Sequence, residues 1–292
     1  MFICCNIFND KTLLRKPQIK HRAKQQTVMP HFKRPTLRSQ IITTFLTFFT
    51  LLVFGQTVKE MQPKLGKIID KSLQGEIEYI KLQDQCEKFW LAHRDSFDES
   101  KFTPTEKKLY EQCATDVEGY WDILGVGCSW YCGGGLDTIS STSTLKSSKG
   151  FKYSAKNIHD LNYKTAWIEG VPGYGIGESI TYHFPPQNPR ITDIIIVNGY
   201  VKSQTVWQDN SRVKKLKMYV DNKPFAILNL TDSREEQTFK FDPLGYGDRD
   251  NSKLLQAKPW WTIKFEILEV YKGDKYDDTA ITEIYFDGID VH

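Results

Sequence analysis

The sequence predicts a mainly β chain: a β-sandwich of jelly-roll type preceded by a small helical region. Three observations carry this expectation. From Leu136 onward, short apolar runs alternate with turn signals and no helical pattern intervenes. Between residues 57 and 125, apolar residues recur at steps of three and four. The chain of 292 residues is 40% hydrophobic, which is enough for a sizeable core and excludes a disordered polypeptide.

The elements follow in chain order. Ile41 to Gly55 is apolar and uncharged, shorter than a membrane-spanning helix, and preceded by Lys33, Arg34 and Arg38. A basic region, a short apolar stretch and a small-residue end describe a secretory signal peptide over residues 1–55, with cleavage near Gly55/Gln56 and Met29 as an alternative start. The competing reading is an uncleaved membrane anchor. No cysteine follows closely, which argues against a lipid anchor. Residues 1–55 carry nine basic residues and one acidic residue, so their removal leaves 30 basic and 35 acidic residues, a net of −5 in place of +3. That balance does not point to nucleic acid. The expected location is secreted or in the cell envelope, with no membrane span left after cleavage.

Residues 56–125 read as helical. Ile68, Ile69, Leu73, Ile77, Ile80 and Leu82 recur at near-helical spacing. Thr103-Pro-Thr-Glu106 is a helix start: Thr103 caps, Pro104 takes the first helical position and Glu106 closes a capping box. Export makes disulfides permissible for Cys86, Cys113, Cys128 and Cys132, and a Cys86–Cys113 bridge would staple two helices. Three pairings are open, and zinc is the alternative, although paired CxxC knuckles are missing. Residues 126–137, rich in Cys and Gly, read as a pinned linker to the sandwich at 138–292. The strands expected there are 179–184, 191–199, 213–220, 225–230, 237–241, 261–270 and 281–286.

Within that stretch, Asn157-Ile-His-Asp160-Leu-Asn162-Tyr-Lys-Thr165-Ala-Trp167 resembles the start of a discoidin-like (coagulation factor type C) domain. Ile281-Thr-Glu283-Ile-Tyr-Phe286 is similar to its closing strand. Gly170–Glu178, Asn198-Gly-Tyr200-x-Lys202, Trp207-x-x-Asn210-x-Arg212 and Tyr276-Asp-Asp-Thr279 resemble one branch, the translocation and glycan-binding module of secreted bacterial NAD glycohydrolases. The resemblance covers residues 138–292 and implies a bacterial, exported protein with a discoidin-like jelly roll. It also implies a structural Ca²⁺ held by Asp160, Asn162, Thr165 and Glu283, hard oxygen donors from the two ends of the domain. The family's turn often has a second Asp or a Gly where this chain has Asn162. The competing reading is an Asx-turn at Asp160 with Glu283 in an ion pair.

A glycan site is expected at the loops of one sandwich end, because sugar C–H faces pack on aromatic rings. Trp207, in a polar loop, is the candidate platform, with Tyr174 a second. Asn198, Tyr200, Lys202, Asn210 and Arg212 would supply polar contacts. The competing reading makes Trp207 a plug over the sandwich end with Arg212 paired to an acid. Trp167 and Trp261 read as core. His93, His159, His183 and His292 form no nucleophile–base or metal spacing, so no catalysis is expected. The glycohydrolase activity is not carried over with its companion module. The expected function is non-catalytic recognition of a carbohydrate or glycoconjugate. The alternative is a protein-interaction or structural module of the cell envelope, with the helical region as partner surface.

Overall fold

The computed structural model describes residues 58–113, 119–123, 129–136, 138–148 and 150–291. The signal-peptide segment and Cys128 lie outside them. No helix among the described residues is long and apolar enough to cross a membrane.

The chain opens with two short strands, β1 (Lys59–Met61) and β2 (Lys64–Ile68). This corrects the reading of 56–125 as uniformly helical. β1 pairs in parallel with β8 (Lys223–Asn229), and β2 pairs antiparallel with β9 (Glu235–Leu244). The partners stand far away in sequence, so a local periodicity could not announce them.

Helix α1 (Leu73–His93) starts where Ser72 accepts the Gly75 N–H at 3.0 Å. Helix α2 (Pro104–Cys113) starts at the expected capping box. Glu106 donates its N–H to Thr103 Oγ1 at 3.3 Å, and Thr103 donates its N–H to Glu106 Oε2 at 2.8 Å. A Cys86–Cys113 disulfide ties the helices, with 5.4 Å between Cα atoms. Cys132 has no bridge to another described cysteine, and Cys128, its expected neighbour in the linker, lies outside the described residues. Phe89 and Phe102 pack beside the bridge, whereas Leu73, Ile77, Ile80 and Leu91 are exposed.

The stretch read as a linker ends inside the sandwich. Trp130 is fully buried in a single 3₁₀ turn, and its indole N–H donates to the Pro189 carbonyl at 2.9 Å.

The remaining strands are β3 (Thr138–Ser141), β4 (Trp167–Ile168), β5 (Ser179–Phe184), β6 (Arg190–Asn198), β7 (Ser211–Val220), β10 (Trp261–Tyr271) and β11 (Thr279–Ile289). A short helix α3 (Gln204–Asp209) lies between β6 and β7, and α4 (Ser252–Gln256) precedes β10. All seven expected strands are present within a few residues of their expected ends. One layer runs β2-β9-β6-β11, and the other runs β7-β10-β5-β3 with β8 and β1 on the far side of β7. The layers meet where β11 pairs with β7 in parallel over only two residue pairs, Thr279 with Ser211 and Ala280 with Arg212.

The core between the layers holds Trp130, Trp167, Tyr182, Phe184, Phe239, Trp261, Phe265 and Phe286. β10 alternates buried and half-buried residues, as a strand with one covered face must. β6 and β11 are buried on both faces. Ile194, Ile196, Ile284 and Phe286 face the core, while Ile195, Val197 and Tyr285 pack under Ile69, Trp121 and Tyr163. The segment before the sandwich therefore roofs its second face.

Candidate functional site

The seam between the layers is held by side chains expected to face solvent. Asn198 is fully buried; its amide donates to the Val213 carbonyl at 2.7 Å and accepts the Val213 N–H at 3.0 Å. Both ends of the amide are consumed in tying β6 to β7, which corrects its assignment as a ligand contact.

Trp207 is also corrected. Ser203 Oγ accepts the Val206 N–H at 3.2 Å and starts α3, and that single turn swings the indole inward. Trp207 is 8% exposed and donates its ring N–H to the Asn198 carbonyl at 3.0 Å. Gly199, at φ +76°, permits the approach: a Cβ there would stand 2.7 Å from the ring. Arg212 caps the indole at 4.5 Å, pairs with Asp232 at 2.8 Å, and donates to the Asn210 carbonyl at 2.9 Å. The plug reading is the one the structure bears out. Tyr174 is half-buried, with Lys272 5.1 Å from its ring, and does not line the cleft described next.

Beside this plug a cleft of about 520 Å³ opens at the end of the sandwich. It brings together three of the expected residues, Tyr200, Lys202 and Asn210. Tyr200 donates its hydroxyl to the Lys164 carbonyl at 3.1 Å, and burial pushes its pKa up to about 12, so the ring is fixed and neutral. Asn210 donates its amide to the Val206 carbonyl at 2.8 Å.

Two further loops complete the cleft. The loop at 145–153 contributes Lys146, Phe151 and Tyr153; the loop before β11 contributes Tyr276 and Asp278. Asp209, at the end of α3, joins them. Phe151 is 46% exposed with the Lys202 ammonium 4.3 Å from its ring centre, and Tyr276 is 43% exposed with the Lys275 ammonium 5.0 Å from its ring centre. The Asp209 carbonyl accepts the Lys275 and Tyr276 N–H groups at 3.2 and 2.8 Å, and Ser211 donates its N–H to the Asp278 carbonyl at 3.0 Å. This knitting preorganises the acidic side of the cleft. Phe151 belongs to no motif in the sequence and Tyr276 only to Tyr276-Asp-Asp-Thr279; that both line one cleft depends on the fold.

At the turn opening the domain, Thr165 contacts Asp160 and the Glu283 carboxylate lies beneath, whereas the Asn162 side chain turns to the Lys164 N–H and to Asp122. Thr165 donates its hydroxyl to Asp160 Oδ2 at 2.6 Å, and Lys164 donates its N–H to Asn162 Oδ1 at 2.9 Å. Glu283 is fully buried under the turn, with Oε2 accepting the Asn162 N–H at 3.4 Å. Leu161 adopts φ +58°, which curls the turn over that carboxylate. Glu283 Oε1 is buried without a hydrogen-bond partner, and His159 Nδ1, 4.0 Å away, instead meets the Ile284 carbonyl at 2.7 Å. Burial pushes the Glu283 carboxyl well above its ordinary range, and the neighbouring Asp160 charge adds to the shift. An orphaned oxygen and two crowded carboxylates suit a hard cation. No cluster of three or more His, Cys, Asp or Glu residues occurs among the described residues; the donors here include an amide and a hydroxyl.

A family model for the NAD glycohydrolase translocation F5/8 type C domain matches residues 130–287, just over half of the chain. No curated protein matches the chain. Among solved structures, the chain is similar to the CBM32-1 and CBM32-2 domains of Clostridium perfringens ZmpB: 13% identity, TM-score 0.37, over 53% of this chain and 34% of that one. It is similar to CpGH89CBM32-5 of Clostridium perfringens, in complex with GalNAc-β-1,3-galactose, at 16% identity and TM-score 0.36 over 52% of this chain and 94% of that one. It is also similar to the arabinofuranosyltransferase AftD from Mycobacteria, at 16% identity and TM-score 0.36 over 60% of this chain and 12% of that one. The chain thus spans about a third of the first of these and an eighth of the last.

Proposed function

The chain belongs to the NAD glycohydrolase translocation F5/8 type C domain family, and from that premise we propose that it is an exported, non-catalytic protein that recognises a carbohydrate or glycoconjugate. The observation that carries the reading is the loop-end cleft, where exposed faces of Phe151 and Tyr276 stand among Lys202, Asn210 and Asp278. Aromatic faces receive a sugar's C–H surface, and the polar groups select its hydroxyls and substituents. A glycan array with the full chain tests it. Specific binding that falls at least tenfold in Tyr276→Ala is expected; binding to no glycan would sink the reading.

A structural Ca²⁺ belongs to the same proposal. Asp160, Asn162, Thr165 and Glu283 would hold it, and its charge would neutralise the crowded carboxylates under the turn. The turn's own contacts with Glu283 tie the first loop of the domain to β11.

A second reading, a protein-interaction or structural module of the cell envelope, is favoured by one observation. Leu73, Ile77 and Ile80 form an exposed apolar stripe on α1. Under that reading Ile77→Lys/Ile80→Lys abolishes partner binding and leaves glycan binding unchanged.

A further inference from the structure

The cleft holds four charged side chains: Lys146, Lys202, Asp209 and Asp278. None has an ion-pair partner within 4.0 Å among the described residues. The four charges are also sorted by sign. Asp209 and Asp278 sit on the two loops knitted through the Asp209 and Asp278 carbonyls, with the Tyr276 ring beside them. Lys146 belongs to the opposite loop, and the Lys202 ammonium rests 4.3 Å from the Phe151 ring of that same loop. The cleft therefore has two acids on one side and two lysines on the other, each side with a partly exposed aromatic ring that already carries a lysine, Lys275 at 5.0 Å from Tyr276 and Lys202 at 4.3 Å from Phe151.

We propose that the cleft selects a zwitterionic substituent on its glycan, with an ammonium group directed at Asp209 and Asp278 and a phosphate or carboxylate directed at Lys146 and Lys202. The substituent's place on a glycan rests on the carbohydrate reading above. A ligand with a single charge gains at one side and is repelled at the other, and a neutral ligand leaves four charges unmatched. A zwitterion satisfies both sides at once. Burial already lowers the Lys202 pKa, with Lys164 adding to the effect, and burial with Asp277 raises that of Asp278. Both groups thus carry a desolvation cost that an opposite charge relieves.

Titration calorimetry on the full chain, with phosphocholine, choline and inorganic phosphate as separate probes, tests the proposal. Phosphocholine is expected to bind at least about tenfold more tightly than either half, which corresponds to about 1.4 kcal/mol. Asp278→Asn should weaken phosphocholine and choline but leave phosphate unchanged, and Lys202→Met should weaken phosphocholine and phosphate but leave choline unchanged. Thermal melts of both variants show whether they remain folded, and competition among the three probes on the unmodified chain gives the answer without them. Equal affinity for the zwitterion and its halves overturns the proposal. So does binding of neutral glycans that phosphocholine fails to displace, an outcome that leaves the carbohydrate reading standing. Binding to phosphatidylcholine vesicles as tight as to any glycan overturns the glycan as carrier. Displacement of an array-selected glycan by phosphocholine supports both readings together.

Discussion

Trp207 shows how one side chain changes role on folding. Its neighbours Gln204, Gln208 and Asp209 are polar, so in the sequence it stands in a hydrophilic loop. The turn of α3 rotates it away from them and into contact with Gly199, Asn198 and Arg212. Trp207→Ala is therefore expected to lower unfolding stability by about 3–5 kcal/mol in urea denaturation, the cost of emptying a buried aromatic site. A stability within about 0.5 kcal/mol of the parent would contradict the plug. Glu283 supports a second prediction at this scale. If Asp160, Asn162, Thr165 and Glu283 hold Ca²⁺, EDTA should lower the melting temperature by about 5–10 °C, as expected for a saturated structural site. Glu283→Gln should abolish that response. An unchanged melting temperature in EDTA would remove the metal from the account. Asp160, Asn162 and Thr165 came from the turn motif and Glu283 from the closing-strand motif. The orphaned oxygen was not, since it depends on how His159 turns toward the Ile284 carbonyl.

At the scale of elements, the sequence announced those whose signals are local. The Thr103–Glu106 capping box lies within four residues, and β5, β7 and β10 carry their apolar runs within a dozen. β1 and β2 were read as helix because a three-residue and a five-residue strand have no period of their own. Their existence rests on pairing with β8 and β9, as in Lys59 beside Ala226. The hairpin supports a prediction. Closing a loop over a sequence separation of 27 residues stabilises by about 3.5 kcal/mol in the chain-entropy account. Reducing Cys86–Cys113, or replacing both residues by alanine, is expected to lower the stability of α1 and α2 by that order. Hydrogen exchange in Leu73–Cys113 measures it, with exchange in β10 as the internal control; equal protection in both states would refute it. Helical spacing located Leu73, Ile77 and Ile80 on one face of α1, but spacing does not say whether another surface covers that face.

At the scale of the sandwich, the two layers meet along a narrow seam, and the segment after β11 closes onto the start of β6. Arg190 at the start of β6 pairs with Asp290 beyond β11 at 2.6 Å, and Arg249 lies 3.8 Å from the same carboxylate. Arg190 holds the Asp290 carboxyl below its ordinary value. A depressed carboxyl contributes stability that is present above its unfolded value, about 3.9, and is lost as pH falls through the folded one. Arg190→Met is therefore expected to be less stable than the parent at pH 7 and to approach it as pH falls below about 4. Urea denaturation at both pH values checks this, and a gap that widens in acid would reverse the sign.

Strand order along the chain, turn positions, the capping box and the family motif were all determined by the sequence alone, because each rests on residues close to one another. The sandwich and its discoidin-like character followed from them. Which side chains line the cleft was decided only by the tertiary structure. Asn198 shares a motif with Tyr200 and Lys202, and Trp207 and Arg212 share one with Asn210. Folding spends Asn198, Trp207 and Arg212 on the seam, through Val213, Gly199 and Asp232, and leaves the others on the cleft. Phe151 and Tyr276, 125 positions apart, become parts of one cleft only when β11 closes against β7. Exposure is a property of what packs nearby, and for a loop residue those neighbours come from distant strands.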